Sequence, residues 1–302
     1  MCIRDSTVGD MYYESIMSST APNRVSWFSG TINPPKGSKV NGTNKHMGGP
    51  TLDNRDSVGC ERTDSGKPFS CVPLRWKTVP EYLQEAGISW RVYQDKDNFG
   101  DDPLVMWKQY QTSAKKKGDL AQRGTSFPGL QKFFDDARDG KLPEVSYIVA
   151  PMQLSEHPPY MPMDGAWIQG EVAKAVMHGK NWDSTALIYS YDETGGWADH
   201  VVSPYPPQSE ESEWIEDPYD KSNGITPIGP GFRLPFYIVS PWTSGGHVFT
   251  EHAAHESQIM FLEQWALAHG KPFTSEEIPT WRREQLSDCL LYTSPSPRDL
   301  ST

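Results

Sequence analysis

The chain has 302 residues, 36% of them hydrophobic and 22% charged, the balance of an ordinary globular protein large enough for one sizeable α/β domain. Twenty-eight basic against thirty-nine acidic residues give a formal charge of −11, which argues against a nucleic-acid partner, since that surface must be basic. No apolar run approaches the length of a transmembrane segment.

In chain order, "DMYYESIMSS" (10–19) predicts a short helix running into Thr20. "TVPEYLQEAG" has helical spacing, with Thr78 as cap and Gly87 as stop. "ISWRVYQ" reads as a strand, "PGLQKFFDDARDG" as a helix and "EVSYIVAP" as a second strand. A helix over "GAWIQGEVAKAVMHG" and a buried strand over "STALIYSYD" follow. "RLPFYIVSPW" is a further strand, and "HESQIMFLEQWALAHG" a long closing helix. Strands alternating with helices predict α/β architecture, with a mainly parallel central sheet flanked by helices. Long loops are expected over 31–72, 95–127 and 203–232. No internal repeat or linker divides the chain, so one domain is expected.

Ligands of open parallel sheets bind beyond the carboxyl ends of the strands. Asp192 and Glu193 follow "ALIYSY" at such an end, and Gly195-Gly196 lets the backbone turn behind them. Adjacent carboxylates repel unless a proton or a cation compensates; a hard divalent metal of unspecified identity is the natural partner, and a solvated loop that happens to be acidic is the alternative. His157 in "LSEHPP" lies beyond the strand "EVSYIVAP". "SSTAPNR" places a hydroxyl, Thr20, near an amide, Asn23, and a guanidinium, Arg24: a nucleophile and two phosphate donors, or an ordinary helix start. His252 and His255 have zinc-compatible spacing but no third ligand nearby, and Ser257 can cap the helix that follows. "DKDNFGDD" (95–102) fails as a calcium loop, with Phe99 and Met106 at ligand positions, and reads as a turn. Cys60 and Cys71 bracket a polar loop and can close a disulfide in an oxidising compartment. Asn41-Gly42-Thr43 is a glycosylation sequon. No G-x-S-x-G, H-E-x-x-H or P-loop is present.

Taken in order, "SSTAPNRVSWFSGT", "TVPEYLQEAGISWRVYQD", "SEHPP", "NWDSTALIYSYDETGGWADHVVSP", "GPGFRLPFYIVSPWTSGG" and "IPTWRREQ" resemble the phosphoesterase family of bacterial and fungal phospholipases C of the phosphatidylcholine type, which has an acid phosphatase branch. The resemblance covers nearly all of residues 7–288 and implies an alkaline-phosphatase-like fold. It implies Thr20 as nucleophile, His157 facing the phosphate, and a divalent metal on Asp192, Glu193 and Thr20. Asn23, Arg24 and His200, the last within a family-like Asp-His-Val segment, are expected at the substrate. The implied activity is phospholipase C cleavage to diacylglycerol and a phosphorylated headgroup. A phosphomonoesterase of the same family, or a secreted binding protein without chemistry, are the alternatives. A phospholipid substrate, transient membrane-surface contact and a secreted, periplasmic or extracellular location follow from the same resemblance, with the signal peptide presumed lost.

Two departures stand out. Thr194 occupies a position where many members carry His or Asn. The family's first strand, ending in a Glu-Asn pair of metal ligands, has no counterpart from residue 7 onward. The ends themselves, 1–6 and 289–302, read as the two strands of one sequencing-adapter sequence. The expectation is therefore a single phosphoesterase domain, 7–288, truncated at both ends and lacking its first strand; such a fragment is itself expected to be impaired.

Overall fold

The structure is a computed structural model that describes residues 6–34, 48–54, 59–62, 68–217 and 220–289. The sequon at Asn41 and most of the adapter-like ends lie outside these residues.

The chain opens with strand β1 (Thr7–Gly9) and helix α1 (Thr20–Ser29). A hairpin of β2 (Gly59–Arg62) and β3 (Pro68–Val72) precedes α2 (Val79–Glu85) and β4 (Trp90–Tyr93). Helices α3 (Lys108–Lys116), α4 (Asp119–Gly124) and α5 (Leu130–Asp139) lead to β5 (Val145–Ile148). Helix α6 (Pro162–Met177) and β6 (Leu187–Ser190) come next, then the small hairpin β7 (Trp214–Glu216) and β8 (Ile225–Pro227). Strands β9 (Phe236–Val239) and β10 (Val248–Phe249) and helices α7 (His255–Ala268) and α8 (Thr280–Gln285) complete it.

The fold is mixed α/β. One sheet has the order β10-β1-β9-β6, and β4 pairs with β5 in parallel. Strand β9 runs against both β1 and β6, while β1 and β10 are parallel. Three of the four strands therefore share a direction. Because the reversed strand lies between two of them, most junctions are antiparallel, which corrects the expectation of a mainly parallel sheet. The physical reason is the connection: among the described residues no α-helix lies between β6 and β9, and without such a crossover the chain returns antiparallel. Among the described residues β5 and β6 are not joined by a ladder, although side chains of β4, β6 and β9 pack with α5 and α6 in one apolar cluster.

Local chemistry accounts for the helices the sequence announces. Thr78 N–H donates to Glu81 at 2.9 Å, which closes the start of α2. Gly140 ends α5 with φ of 70°, a conformation that glycine takes at little cost. At α7 the Ser257 hydroxyl accepts the Ala254 N–H at 3.0 Å, as expected of a cap.

Residues 10–19 are not helical. Tyr13 N–H donates to Ala253 O, Glu14 N–H to Phe232 O and Met17 N–H to Ile228 O, so distant backbone satisfies this segment instead of its own turns. Tyr12, Tyr13, Glu14, Ser15 and Ile16 are buried in succession, all around any helix they could form, a pattern that a one-sided surface helix cannot produce. The expected loop 95–127 holds α3 and α4, whose polar sequences conceal helices that bury little beyond Tyr110, Ala121 and Gly124. The other two long loops hold the β2–β3 and β7–β8 hairpins. Cys60 and Cys71 face each other across the first of these and are joined as a disulfide.

Candidate active site

Helix α1 begins at Thr20, which is half-buried. The turn before it is held by Asn23. This side chain is fully buried; it accepts Ile16 N–H at 2.9 Å and donates to Ile16 O, Ser18 O and Ser19 O. Its amide is consumed in shaping residues 16–19, so Asn23 is not the phosphate ligand expected of it.

Arg24 lies one turn beyond Thr20 on the same face of α1. Its Nε donates to Asp192 Oδ2 at 2.9 Å, and Nη1 donates to Asp101 O at 3.1 Å. Asp101 is held in turn by Asn54 Nδ2 at 2.8 Å. Burial works against the Arg24 charge, but Asp101 and Asp192 outweigh it and raise the guanidinium above its ordinary value. Burial alone would push Asp192 up; Arg24 reverses this and holds the carboxyl below its usual range. The result is a clamp between the first turn of α1 and the loop after β6.

That loop is turned by Gly195 and Gly196, with φ of 65° and 81°. Glu193 Oε2 accepts Gly195 N–H at 2.6 Å. Burial and the Asp192 charge push Glu193 up, against the Gly195 bond. Glu14 stands behind it, 2% exposed, with Oε1 accepting Phe232 N–H at 3.2 Å and Oε2 buried without a hydrogen-bond partner among the described residues. Burial raises Glu14 to about 7, opposed by the Phe232 and Thr194 N–H groups and reinforced by Glu193 and Asp192. Asp101 is likewise raised, first by burial. Asp101, Asp102, Asp192 and Glu193 thus bear on one guanidinium, with Glu14 beyond Glu193, an environment short of positive charge. A cleft of about 330 Å³ opens between Ser18, Ser19, Glu193, Thr194 and Trp197, with Glu14 in its wall.

His255 is buried at 2% exposure. Its Nδ1 lies 2.8 Å from Tyr12 Oη and its Nε2 lies 2.8 Å from Asp192 O. A carbonyl only accepts, so Nε2 carries the hydrogen and Nδ1 accepts from the tyrosine. Both nitrogens are used, and burial lowers the ring's pKa. The residue braces the Asp192 backbone and has no nitrogen left for zinc. His252 packs edge-on to Tyr13, 5.7 Å between ring centres.

His157 lies in the exposed loop after β5, with Nδ1 2.8 Å from Pro158 O and its ring 5.4 Å from that of Phe99. Its charge bears on Asp101 and Glu193, which places it on the same side of the molecule as the clamp. His200 does not join this group. Its side chain is 90% exposed beside Asp199, which is held by Arg233 at 2.6 and 3.0 Å. It lines a second, more apolar cleft of about 250 Å³ that shares Met17 and Phe232 with the first.

Sequence reasoning missed Asp101, Glu14 and Asn54. Asp101 had a usable signal: it follows strand β4 as Asp192 follows β6. Glu14 and Asn54 had none, since their roles depend on contacts with Phe232 and Asp101 far away in sequence.

The phosphoesterase family model matches residues 2–267. The chain belongs to the phosphoesterase family. Among curated relatives of this phosphoesterase, a non-hemolytic phospholipase C of Pseudomonas aeruginosa is 37% identical over 85% of the chain and 37% of its own length. A non-hemolytic phospholipase C of Burkholderia pseudomallei is 33% identical over 96% of the chain and 43% of its own length. Phospholipase C B of Mycobacterium tuberculosis is 33% identical over 93% and 51% respectively. The phosphoesterase chain thus spans about half or less of the length of these relatives. A solved structure of a protein in the alkaline phosphatase superfamily from Vibrio parahaemolyticus is similar with a TM-score of 0.44 at 12% identity, covering 97% of this chain and 62% of that one, a likeness too slight to add to the family match. Among the described residues no helix is long and apolar enough to cross a membrane.

Proposed function

We propose that the protein acts as a phospholipase C, a phosphoric diester hydrolase that splits a phospholipid into diacylglycerol and a phosphorylated headgroup. The observation that carries this reading is the Arg24–Asp192 bond, because it brings the turn that bears Thr20 against the acidic loop. The names of the relatives support the same reaction.

In this reading Thr20 Oγ attacks phosphorus in line, and the phosphorus–oxygen bond to diacylglycerol breaks. His157, exposed and able to reach a substrate, gives a proton to the departing alkoxide. Water then cleaves the phosphothreonine and releases the phosphorylated headgroup. The N–H groups at the start of α1 point toward the phosphoryl oxygens. Arg24 keeps N–H groups beyond those on Asp101 and Asp192 and is the proposed phosphate contact; His200, in the second cleft, is set apart from it.

Phosphoesterases of the alkaline-phosphatase type generally use divalent metals. The donors here fit a hard cation in kind: the Asp192 and Glu193 carboxylates and the Thr20 hydroxyl are all oxygen ligands, set among acids short of positive charge. When bound, such a cation lowers the pKa of the threonine hydroxyl. Among the described residues no group of three or more His, Cys, Asp or Glu side chains converges as a metal site.

The disulfide supports an oxidising, extracellular or periplasmic location. Exposed Met17, Trp197, Val202 and Tyr205 around the two clefts support transient contact with a lipid surface. Phosphocholine release from phosphatidylcholine by the purified protein tests the activity. Turnover of p-nitrophenyl phosphate, with none of p-nitrophenylphosphorylcholine, would instead establish a phosphomonoesterase.

A further inference from the structure

The loop that carries His157 has one residue in an unusual backbone conformation. Glu156 has φ of 65°, the left-handed region that residues with a side chain rarely adopt. Its carboxylate is what anchors it there. Tyr191 Oη lies 2.8 Å from both Oε1 and Oε2, and Gln169 Nε2 donates to Oε1 at 3.1 Å. Gln169 also donates to Tyr191 Oη at 3.1 Å, so the three side chains form a closed triangle. Helix α6 leaves room for it only through a glycine: a Cβ on buried Gly165 would lie 2.0 Å from Glu156 Oε1 and 2.1 Å from its Cγ.

Each end of this contact is next in sequence to a residue of the site. Glu156 precedes His157, and Tyr191 precedes Asp192. We propose that Glu156 and Tyr191 form a strut that fixes the His157 loop against the Asp192–Glu193 loop, with Glu156 a positioning residue that acts through His157. The role assigned to His157 rests on the phospholipase reading above; the strut itself rests on the hydrogen bonds. A displacement of about 1 Å in a reacting group can lower turnover about a hundredfold, so a fixed separation between these loops matters to the chemistry.

Three variants test it: Tyr191→Phe removes the donor, Gly165→Ala displaces the carboxylate from beneath, and Glu156→Gln keeps an acceptor. Two readouts are needed. One is kcat and KM on p-nitrophenylphosphorylcholine together with the melting temperature. The other is the His157 ring resonance in histidine-labelled chain, assigned by its loss in His157→Gln. Tyr191→Phe and Gly165→Ala are expected to lower kcat about 10- to 100-fold, with KM and melting temperature little changed. Both are expected to shift the His157 resonance, and Glu156→Gln to retain most of the activity and the wild-type resonance. An unmoved His157 resonance in both variants overturns the strut, as does a loss of activity that merely follows a loss of folded protein. If the wild-type chain turns over no phosphoester, that counts against the phospholipase reading alone, and the His157 resonance still decides the strut.

Discussion

Arg282→Met is the perturbation whose cost follows most directly from the structure. Arg282 on α8 is 2% exposed and lies between Glu213 and Glu256, both fully buried. It donates to Glu213 through Nε at 3.0 and 3.1 Å and Nη2 at 2.8 Å, and to Glu256 and Ser15 O through Nη1 at 2.8 and 2.9 Å. Removing one partner of a buried pair costs about 3–5 kcal/mol because the remaining charge is stranded. The two glutamates do not suffer equally. Glu256 keeps the Ser15 and Ser26 hydroxyls, each at 2.6 Å, whereas the side-chain bonds described for Glu213 all come from Arg282. The cost should therefore fall near the middle of that range, a large part of the roughly 5–15 kcal/mol that holds a domain together.

The pH dependence sharpens this test. Burial would raise Glu256, but Arg282 holds it below its ordinary value, so its contribution is present above the unfolded pKa of about 4.3 and fades as pH falls through the lower folded value. In the variant the stranded carboxyl shifts upward, so its folded form takes up protons as pH falls and recovers stability. The gap between wild type and variant should therefore be widest near neutral pH and should narrow toward about pH 5. Urea unfolding followed by tryptophan fluorescence at the two pH values measures this as a change of midpoint at constant slope. A loss below about 1 kcal/mol, or a gap that widens in acid, would refute the reasoning about stranded charge.

Thr20→Ala should abolish turnover and leave the melting temperature nearly unchanged, since the hydroxyl has no described structural bond; activity close to wild type would exclude Thr20 as nucleophile. Arg24→Gln removes the charge that holds Asp192 down, so the Asp192 carboxyl should titrate higher by NMR, and about 1.5–3 kcal/mol of stability should go with the charged hydrogen bonds. An unshifted Asp192 would show that Arg24 is not its counter-charge. Reducing the Cys60–Cys71 disulfide should cost about 2–3 kcal/mol through the released short loop, read as a lower urea midpoint in reductant; an unchanged midpoint would show that this hairpin is independent of the core.

The sequence by itself determined the elements that carry their own start and stop signals. Thr78 with Glu81, Gly140, and the apolar runs of β4, β5 and β6 are local, and local chemistry suffices for them. It also singled out Asp192 and Glu193, because they follow an apolar strand and precede two glycines; the structure brings Asp192 to Arg24. Tertiary structure decided the rest. Residues 10–19 are not helical because their N–H groups find partners at 228, 232 and 253, which no local pattern encodes. Strand β9 runs against both β1 and β6, a direction that nothing in its own residues encodes. Arg24 meets Asp192 across 168 positions, Asn23 turns inward instead of toward substrate, and Glu156 reaches Tyr191 only because Gly165 leaves the space. Side-chain types and local spacing are properties of the chain; the partner that satisfies each buried charge is a property of the packed fold, and it is those partners that assemble the site.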